Sequence, residues 1–369
     1  MNNADLYIGL ISGTSVDGVD CALVRFEGNS PQVIGTAFTP TPKDLREQIL
    51  ALCTGQNISL EIYGQVDIAI GRMFANAALE LIESKGVAAS DVAAIGSHGQ
   101  TVFHEPDSDL PFSLQLGDPN SIAQLTGITT IADIRRRDMA VGGEGAPLAP
   151  LLHRNCLASS EFDRVIVNVG GIANITILRK DGSCLAFDTG PANVLMDHWI
   201  EARKGERFDE DGAWAAEGEV DSALLMELMD EPYFSEPYPK STGRELFNAQ
   251  WLEERLSRVT RIMQPQDVQR TLLELTAKSI TTAIHEHVQP DQVFLCGGGA
   301  QNDFLMTRLQ TLLQPASVES TASIGIEPDW VEAIAFAWIA RETLAGRTID
   351  TTTLTGASQP VILGGIYQG

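Results

Sequence analysis

The sequence predicts an α/β protein made of two duplicated halves, each a mixed sheet flanked by helices. Three observations predict this. A unit of strand, glycine turn, strand, turn, strand occurs twice, with its first glycine turns centred at Gly13 and Gly171, 158 positions apart. Helical patterns follow each copy. The chain has 369 residues, 44% of them hydrophobic, which is enough for two units of roughly 100–200 residues with real cores. Two unrelated three-stranded meanders are the alternative reading of the repeat.

In chain order, LYIGLIS reads as a strand, GTSVDG as a turn, VDCALVRF as a second strand and PQVIGTAF as a third. Helical patterns follow at about 43–53 and 61–85. DVAAIGSHG reads as a strand entering a polar loop, FSLQLGD as a strand, SIAQLTG after Pro119 as a short helix and GITTIAD as a strand. DRVIVNVGG then restarts the pattern, with NITILR and SCLAFD as its second and third strands. Helical stretches dominate from 191 to 289, and the acidic segment at about 205–245 reads as an insertion or lid. DQVFLCGGG is a strand, QNDFLMTRLQTLL a helix, and WVEAIAFAWIARETLA a helix so apolar that it must be buried.

Charge and cysteine usage narrow the function classes. With 25 Lys and Arg against 49 Asp and Glu, the net charge is −24. That opposes contact with nucleic acid or an anionic membrane surface. The densest basic cluster, Arg135–Arg137, is too small for a polyanion footprint. The five cysteines (21, 53, 156, 184 and 296) are widely spaced, and four lie in apolar runs. They read as buried reduced thiols, which points to the cytoplasm. MNNADLYIGL has no export pattern and no apolar run reaches about 18 residues, so a soluble protein is expected.

Three glycine elements could serve a nucleotide. In Ser12-Gly13-Thr14-Ser15-Val16-Asp17-Gly18, ahead of Val19, glycines allow close backbone approach, and N–H groups with hydroxyls can cradle phosphate oxygens. It is not a Walker loop, because no Lys follows and the next element is a strand. An ordinary polar hairpin is the plainer reading. Asn168 to Asn174, with Gly170 and Gly171, has the same character without charge. Gly297, Gly298 and Gly299 lie between a strand and a helix and would let a flat ligand rest on backbone. They do not fit the dinucleotide fingerprint.

Other residues could carry chemistry. Asp188 in FDTGPAN emerges where an apolar strand ends and a helix with an early Pro begins, a place for a general base or for a capping Asp. Ser97-His98-Gly99-Gln100-Thr101, followed by His104, suits recognition of a sugar-like ligand better than zinc. The Arg135-Arg136-Arg137 cluster is either a surface ion-pair group or a bidentate anion holder. Glu332, on an otherwise apolar helix, either exploits the helix dipole or faces a cleft.

GLISGTSVDGVD, AIGSHGQTVFHEP, ADIRRRDMAVGGEGAPLAP, NVGGIANIT, FDTGPANVLMD, FDEDGAWA, PKSTGRELFN and FLCGGGAQND occur in this order from residue 9 to about 303, and AIAFAWIA extends them toward 345. Together they resemble the anhydro-N-acetylmuramic acid kinase family. The resemblance implies the actin-like ATPase (ribonuclease H-like) fold, with two duplicated domains around an interdomain cleft. It implies domain 1–160, with the first phosphate hairpin and part of the sugar site. It also implies domain 161–369, with the second hairpin, the catalytic Asp and the adenosine loop. The implied reaction uses ATP, with Mg²⁺, and water to convert 1,6-anhydro-N-acetylmuramic acid to N-acetylmuramic acid 6-phosphate and ADP, in murein recycling in a bacterial cytoplasm.

By the same resemblance Asp188 is the base and Glu332 a second carboxylate that helps hold the water. Ser12–Val19 with Gly170, Gly171 and Asn174 cradle phosphates, and Gly297–Gly299 approach the adenosine. Ser97, His98, Gly99, Gln100, Thr101, Arg136 and Arg137 face the sugar, with one Arg on its lactyl carboxylate. A homodimer is implied, and the metal ligands are left open. The rivals are another sugar or acetate kinase of this fold, and a non-enzymatic nucleotide-dependent clamp.

Overall fold

A computed structural model describes residues 5–55 and 59–369. The first four residues of the stretch read for an export signal lie outside it. The chain divides into two compact units, residues 1–156 with 330–369, and residues 157–329.

The first unit is built on strands β1 (Leu6–Ser12), β2 (Gly18–Glu27), β3 (Ser30–Pro40), β4 (Val92–Glu105), β5 (Phe112–Leu116) and β6 (Thr130–Ala132). The second holds β7 (Arg164–Val169), β8 (Ile172–Leu178), β9 (Cys184–Pro191), β10 (Gln292–Cys296) and β11 (Ser317–Ser320). The last strand, β12 (Gly365–Tyr367), returns to the first sheet beside β6. The order β3-β2-β1-β4-β6 in one sheet is matched by β9-β8-β7-β10-β11 in the other. In each, three antiparallel strands are followed by two parallel ones. The repeat read from the sequence is thus a repeat of topology.

Helix starts follow local chemistry. Helix Leu60–Ser84 begins at Ser59, whose hydroxyl accepts from the Ile62 N–H. Helix Pro119–Thr126 begins at Asp118, whose carboxylate takes the Asn120 and Ser121 N–H groups, with Pro in the first position. In the first unit Leu6, Ile8, Leu10, Val19, Leu23, Phe74 and Ile95 join one core. In the second, Val165, Val167, Ile175 and Ile177 pack with Trp199, Leu272 and Ile280. Among the described residues no helix is long and apolar enough to cross a membrane.

Five expectations change. The C-terminal 40 residues belong to the first unit rather than to a span 161–369. Helix Val331–Leu344 covers β1 and β4, and β12 pairs with β6. The polar loop expected after DVAAIGSHG is strand, because β5 pairs with Gln100–Glu105 and extends the ladder. Pro191 closes β9, paired opposite Ile172, and the helix starts only at Asn193. The segment at 205–245 is no loose lid, since Trp214, Leu224, Leu225, Leu228 and Tyr233 enter the core of the second unit. Among the thiols, Cys21, Cys184 and Cys296 are buried, Cys156 is partly so, and Cys53 is exposed at the end of its helix.

Candidate active site

In the second unit, the β7–β8 turn, the Gly297–Gly299 element and the start of helix Asn193–Lys204 converge. The turn's carbonyls are taken by that helix: Asn193 N–H donates to Gly170 O (3.0 Å), and Ala192 and Val194 N–H donate to Gly171 O (2.9 and 3.1 Å). The Asn193 side-chain amide donates to Val169 O at 3.2 Å. Gly297 has φ +75°, and a Cβ there would meet Asn168 Oδ1 at 2.4 Å, while one on Gly299 would meet Val169 Cγ1 at 2.2 Å. Glycine is thus required by backbone conformation and by closeness to β7. Beside them lies a cavity of about 380 Å³ lined by Asn193, Met196, Asp197, Phe208, Gly298 and Gly299, among others. That size and mixed lining suit a small-molecule ligand.

Asp188 sits on β9 opposite Asn174, next to a register shift in the β8–β9 ladder. One carboxylate oxygen, Oδ2, accepts from the Ser241 hydroxyl (2.9 Å) and the Thr242 N–H (3.0 Å). The Tyr233 hydroxyl donates to the Asp188 carbonyl at 2.7 Å. Burial raises the Asp188 carboxyl above the ordinary carboxylate range. The Thr242 and Ser241 donors pull it back, and Glu245 adds to the rise. A carboxylate so raised is a better proton acceptor than one in water.

In the first unit, the β1–β2 hairpin is tied to β4 at Gln100. The Ser12 hydroxyl donates to Gln100 Oε1 (2.6 Å), and the Gln100 amide donates to the carbonyls of Gly13 (3.2 Å) and Thr101 (3.1 Å). Arg46 donates to the carbonyls of Val16 and Ser15, both at 3.1 Å. Val16 is buried with φ +54°, a strained conformation for a β-branched residue, held by these braces. Thr14, Ser15 and Asp17 are left exposed at the tip, where Ser15 donates to Asp17 Oδ1 at 2.6 Å.

His98 is buried, and its two nitrogens have distinct partners. Arg135 Nε donates to His98 Nε2 at 2.9 Å, so Nε2 is the bare nitrogen and Nδ1–H faces Gly99 O at 2.9 Å. Burial and the Arg135 charge hold the imidazole well below its usual range. Arg135 also donates to Gly145 O at 2.7 Å. Its guanidinium is pushed down to about 10 by burial, with Glu332 and Asp138 opposing. Glu332, the second residue of helix Val331–Leu344, reaches solvent but is densely surrounded by protein. Its carboxyl is raised by desolvation, with Arg135 acting against the rise. Ser97 is buried, and its hydroxyl has no hydrogen-bond partner among the described residues.

The structure therefore gathers Ser12–Val19 with Gln100 and Thr101, and His98 with Arg135 near Glu332. In the second unit it sets Asn174 opposite Asp188, and Gly297 and Gly299 against Asn168 and Val169 at the end of β7, beside Gly170 and Gly171. It leaves Arg136 and Arg137 exposed, with Arg136 3.5 Å from Asp133. Arg135, not singled out from its neighbours by the sequence reading, is the one turned toward His98. Ser241, Tyr233 and Arg244 were also missed as individuals. The PKSTGRELFN motif was their available signal, but its spacing shows no partner for Asp188.

Two sheets of one topology, with glycine turns and a carboxylate on the third strand of the second sheet, define a class of duplicated mixed α/β proteins. Within that class the chain belongs to the anhydro-N-acetylmuramic acid kinase family, whose model matches residues 5–369. The anhydro-N-acetylmuramic acid kinase of Aliivibrio fischeri is 48% identical over 363 residues, 98% of each chain. That of a Shewanella species is 48% identical over 368 residues, covering 100% of this chain and 99% of the relative. Among solved structures, the activator of a 2-hydroxyisocaproyl-CoA dehydratase from Clostridium difficile, with bound ADPNP, is similar with a TM-score of 0.47. It is 11% identical and covers 92% of this chain and 96% of that one.

Proposed function

We propose that the protein uses ATP and water to open the 1,6-anhydro ring of 1,6-anhydro-N-acetylmuramic acid and to phosphorylate O6, releasing N-acetylmuramic acid 6-phosphate and ADP. The observation that carries the reading is Asp188. It is a carboxylate raised by burial, held by two donors through one oxygen, in the unit that also carries the glycine-lined cavity. Family membership supplies the substrate class.

In this reading Asp188 takes a proton from water as the water oxygen attacks C1. The C1–O6 bond breaks, O6 keeps the electron pair, and the γ-phosphoryl group passes to it in line while ADP leaves. The sugar step is that of an inverting glycosidase and the second that of a phosphoryl transfer. Transfer to phosphorus relieves the charge on O6. Glu332 has the role of a second carboxylate that helps hold the water. The two hairpins cradle phosphates, Gly297–Gly299 line the adenosine side, and Ser97–Thr101 face the sugar. For the lactyl carboxylate, the expectation was one Arg of the Arg135–Arg137 cluster, left open as to which. Arg135 has the better local support, because His98 and Gly145 already fix its guanidinium.

Magnesium accompanies ATP in this proposal. A hard cation that keeps several waters needs only one or two carboxylates besides the phosphates. The exposed Asp17 beside Ser15 is an oxygen donor of that kind and would hold it. The bound cation would offset phosphate charge in a chain of net charge −24. A bacterial cytoplasmic homodimer completes the reading.

The deciding experiment is product analysis by mass spectrometry with the anhydro-sugar, ATP and ¹⁸O-labelled water. The label is expected at C1 of the phosphorylated sugar. Label in free phosphate, with the sugar unchanged, would make the protein a simple ATPase.

A further inference from the structure

The segment Lys240–Glu245 touches two parts of the second unit at once. At one end the Ser241 hydroxyl and Thr242 N–H hold Asp188 Oδ2. Two residues on, Arg244 is exposed, and its guanidinium lies along the β7–β8 glycine turn. A Cβ on Gly171 would stand 3.7 Å from one terminal nitrogen and 3.9 Å from Nε. Asp197, which lines the nearby cavity, is pushed up to about 6 by burial, with the Arg244 and Arg207 charges opposing. Arg244 is thus a cation set on a glycine-rich turn, two residues along from the Thr242 N–H that grips Asp188. A planar guanidinium with forked donors matches phosphate oxygens in a way an ammonium does not.

From this geometry we infer that Arg244 binds the terminal phosphate of the nucleotide, and that this contact holds Ser241 and Thr242 on Asp188, so that nucleotide binding fixes the orientation of the base. The inference rests on the reading of Asp188 and the β7–β8 turn given above. The physical link is short. Only Gly243 separates Thr242 from Arg244, so anchoring Arg244 restricts the backbone that supplies the Thr242 N–H. Ser241 and Tyr233 act as positioning residues, and Arg244 touches the nucleotide itself. Among the described residues, the charged and titratable groups facing Asp188 are Glu245 and Tyr233, and neither supplies a cation for the phosphate.

The test uses the full chain with Arg244→Gln, Arg244→Lys, Ser241→Ala and Ser241→Thr. Arg244→Gln should weaken binding of a non-hydrolysable ATP analogue by calorimetry, at least about tenfold, and lower kcat by about 10²–10³, the range for loss of one preorganised donor to developing charge. Arg244→Lys should recover only part of kcat, since it restores the charge but not the fork. Ser241→Ala should leave analogue affinity within about twofold and move the acid limb of the kcat–pH profile upward, because a donor that lowers the Asp188 carboxyl is gone. Ser241→Thr should restore the limb. The same upward move is expected in Arg244→Gln, which a purely structural Arg would not cause.

Analogue affinity and kcat within twofold of the parent protein in Arg244→Gln would overturn the inference. An unmoved acid limb in Arg244→Gln, with affinity lost, would overturn the coupling. Full turnover in Asp188→Asn would instead sink the base assignment beneath it, so the two failures are distinguishable. Melting curves on each variant separate these outcomes from loss of fold.

Discussion

Asp188 has one oxygen held by two donors and a carboxyl raised by burial, so its charge and its hydrogen bonds can be tested apart. Asp188→Asn keeps size and an acceptor but takes no proton, and turnover should fall by about 10²–10⁴. Melting temperature should stay close to the parent value. A raised carboxyl stabilises the fold only below the unfolded value and loses that contribution as pH rises through the folded one, so neutralising it at pH 7 removes a cost. Normal turnover with a lowered melting point would make Asp188 structural. In the parent protein kcat should fall on acidification through a value above the ordinary ~3.9 of Asp. His98 gives the opposite sign of linkage. Its folded value is depressed, so the stability it contributes is present above about 6.5 and is lost as pH falls. Nitrogen NMR should find its ring neutral, with the proton on Nδ1, across pH 5–8. A titration near 6.5 would contradict the Arg135–His98 bond.

At the scale of elements, helix Val331–Leu344 was legible as buried from its apolar run, but what buries it was not. It lies so close to β1 and β4 that a Cβ on Gly9 would stand 1.7 Å from Ala333 O, and one on Gly96 2.0 Å from Phe336 O. Backbone cannot yield as a flexible side-chain end can. Gly9→Ala and Gly96→Ala should therefore each destabilise by at least about 1–3 kcal/mol, the cost of overpacking. Denaturant unfolding checks this, and a midpoint unchanged in both variants would mean the helix does not seat there. Both glycines sat in plain view within strand patterns, where an isolated Gly reads only as a weak spot. The alternation that marks a strand says nothing about how near the next layer comes. The same limit hid the extension of β4 through Gln100–Glu105, which exists because β5 pairs with it. The three-strand meanders, by contrast, were legible, since their turns and pairing are local in sequence.

At the scale of the whole chain, the repeat was read correctly but its ending was not, because the residues after about 346 have little pattern of their own. Their order comes from partners far away in sequence. β12 pairs with β6, the Tyr367 hydroxyl donates to Asp133 at 2.6 Å, and the Thr351 and Thr355 hydroxyls donate to the buried Asp138 at 2.6 and 2.9 Å. The first unit is thus made from two separate stretches of chain, and the second is one continuous stretch with its own core. Cutting the chain should expose this asymmetry. A fragment 157–329 keeps all five strands of its sheet and the helices packed on them, and it should melt cooperatively by circular dichroism. A fragment 1–156 lacks the helix that covers β1 and β4 and leaves Asp138 without its two threonine donors. A buried carboxylate that keeps the Gly145 N–H on Oδ2 (2.8 Å) but loses both donors on Oδ1 costs about 1–3 kcal/mol or more, a large part of the stability of a domain this size. That fragment should therefore be unfolded or aggregated, and adding residues 330–369 in trans should restore a cooperative melt. If 1–156 folds alone as stably as 157–329, the C-terminal stretch is dispensable to the first unit and its assignment there is wrong.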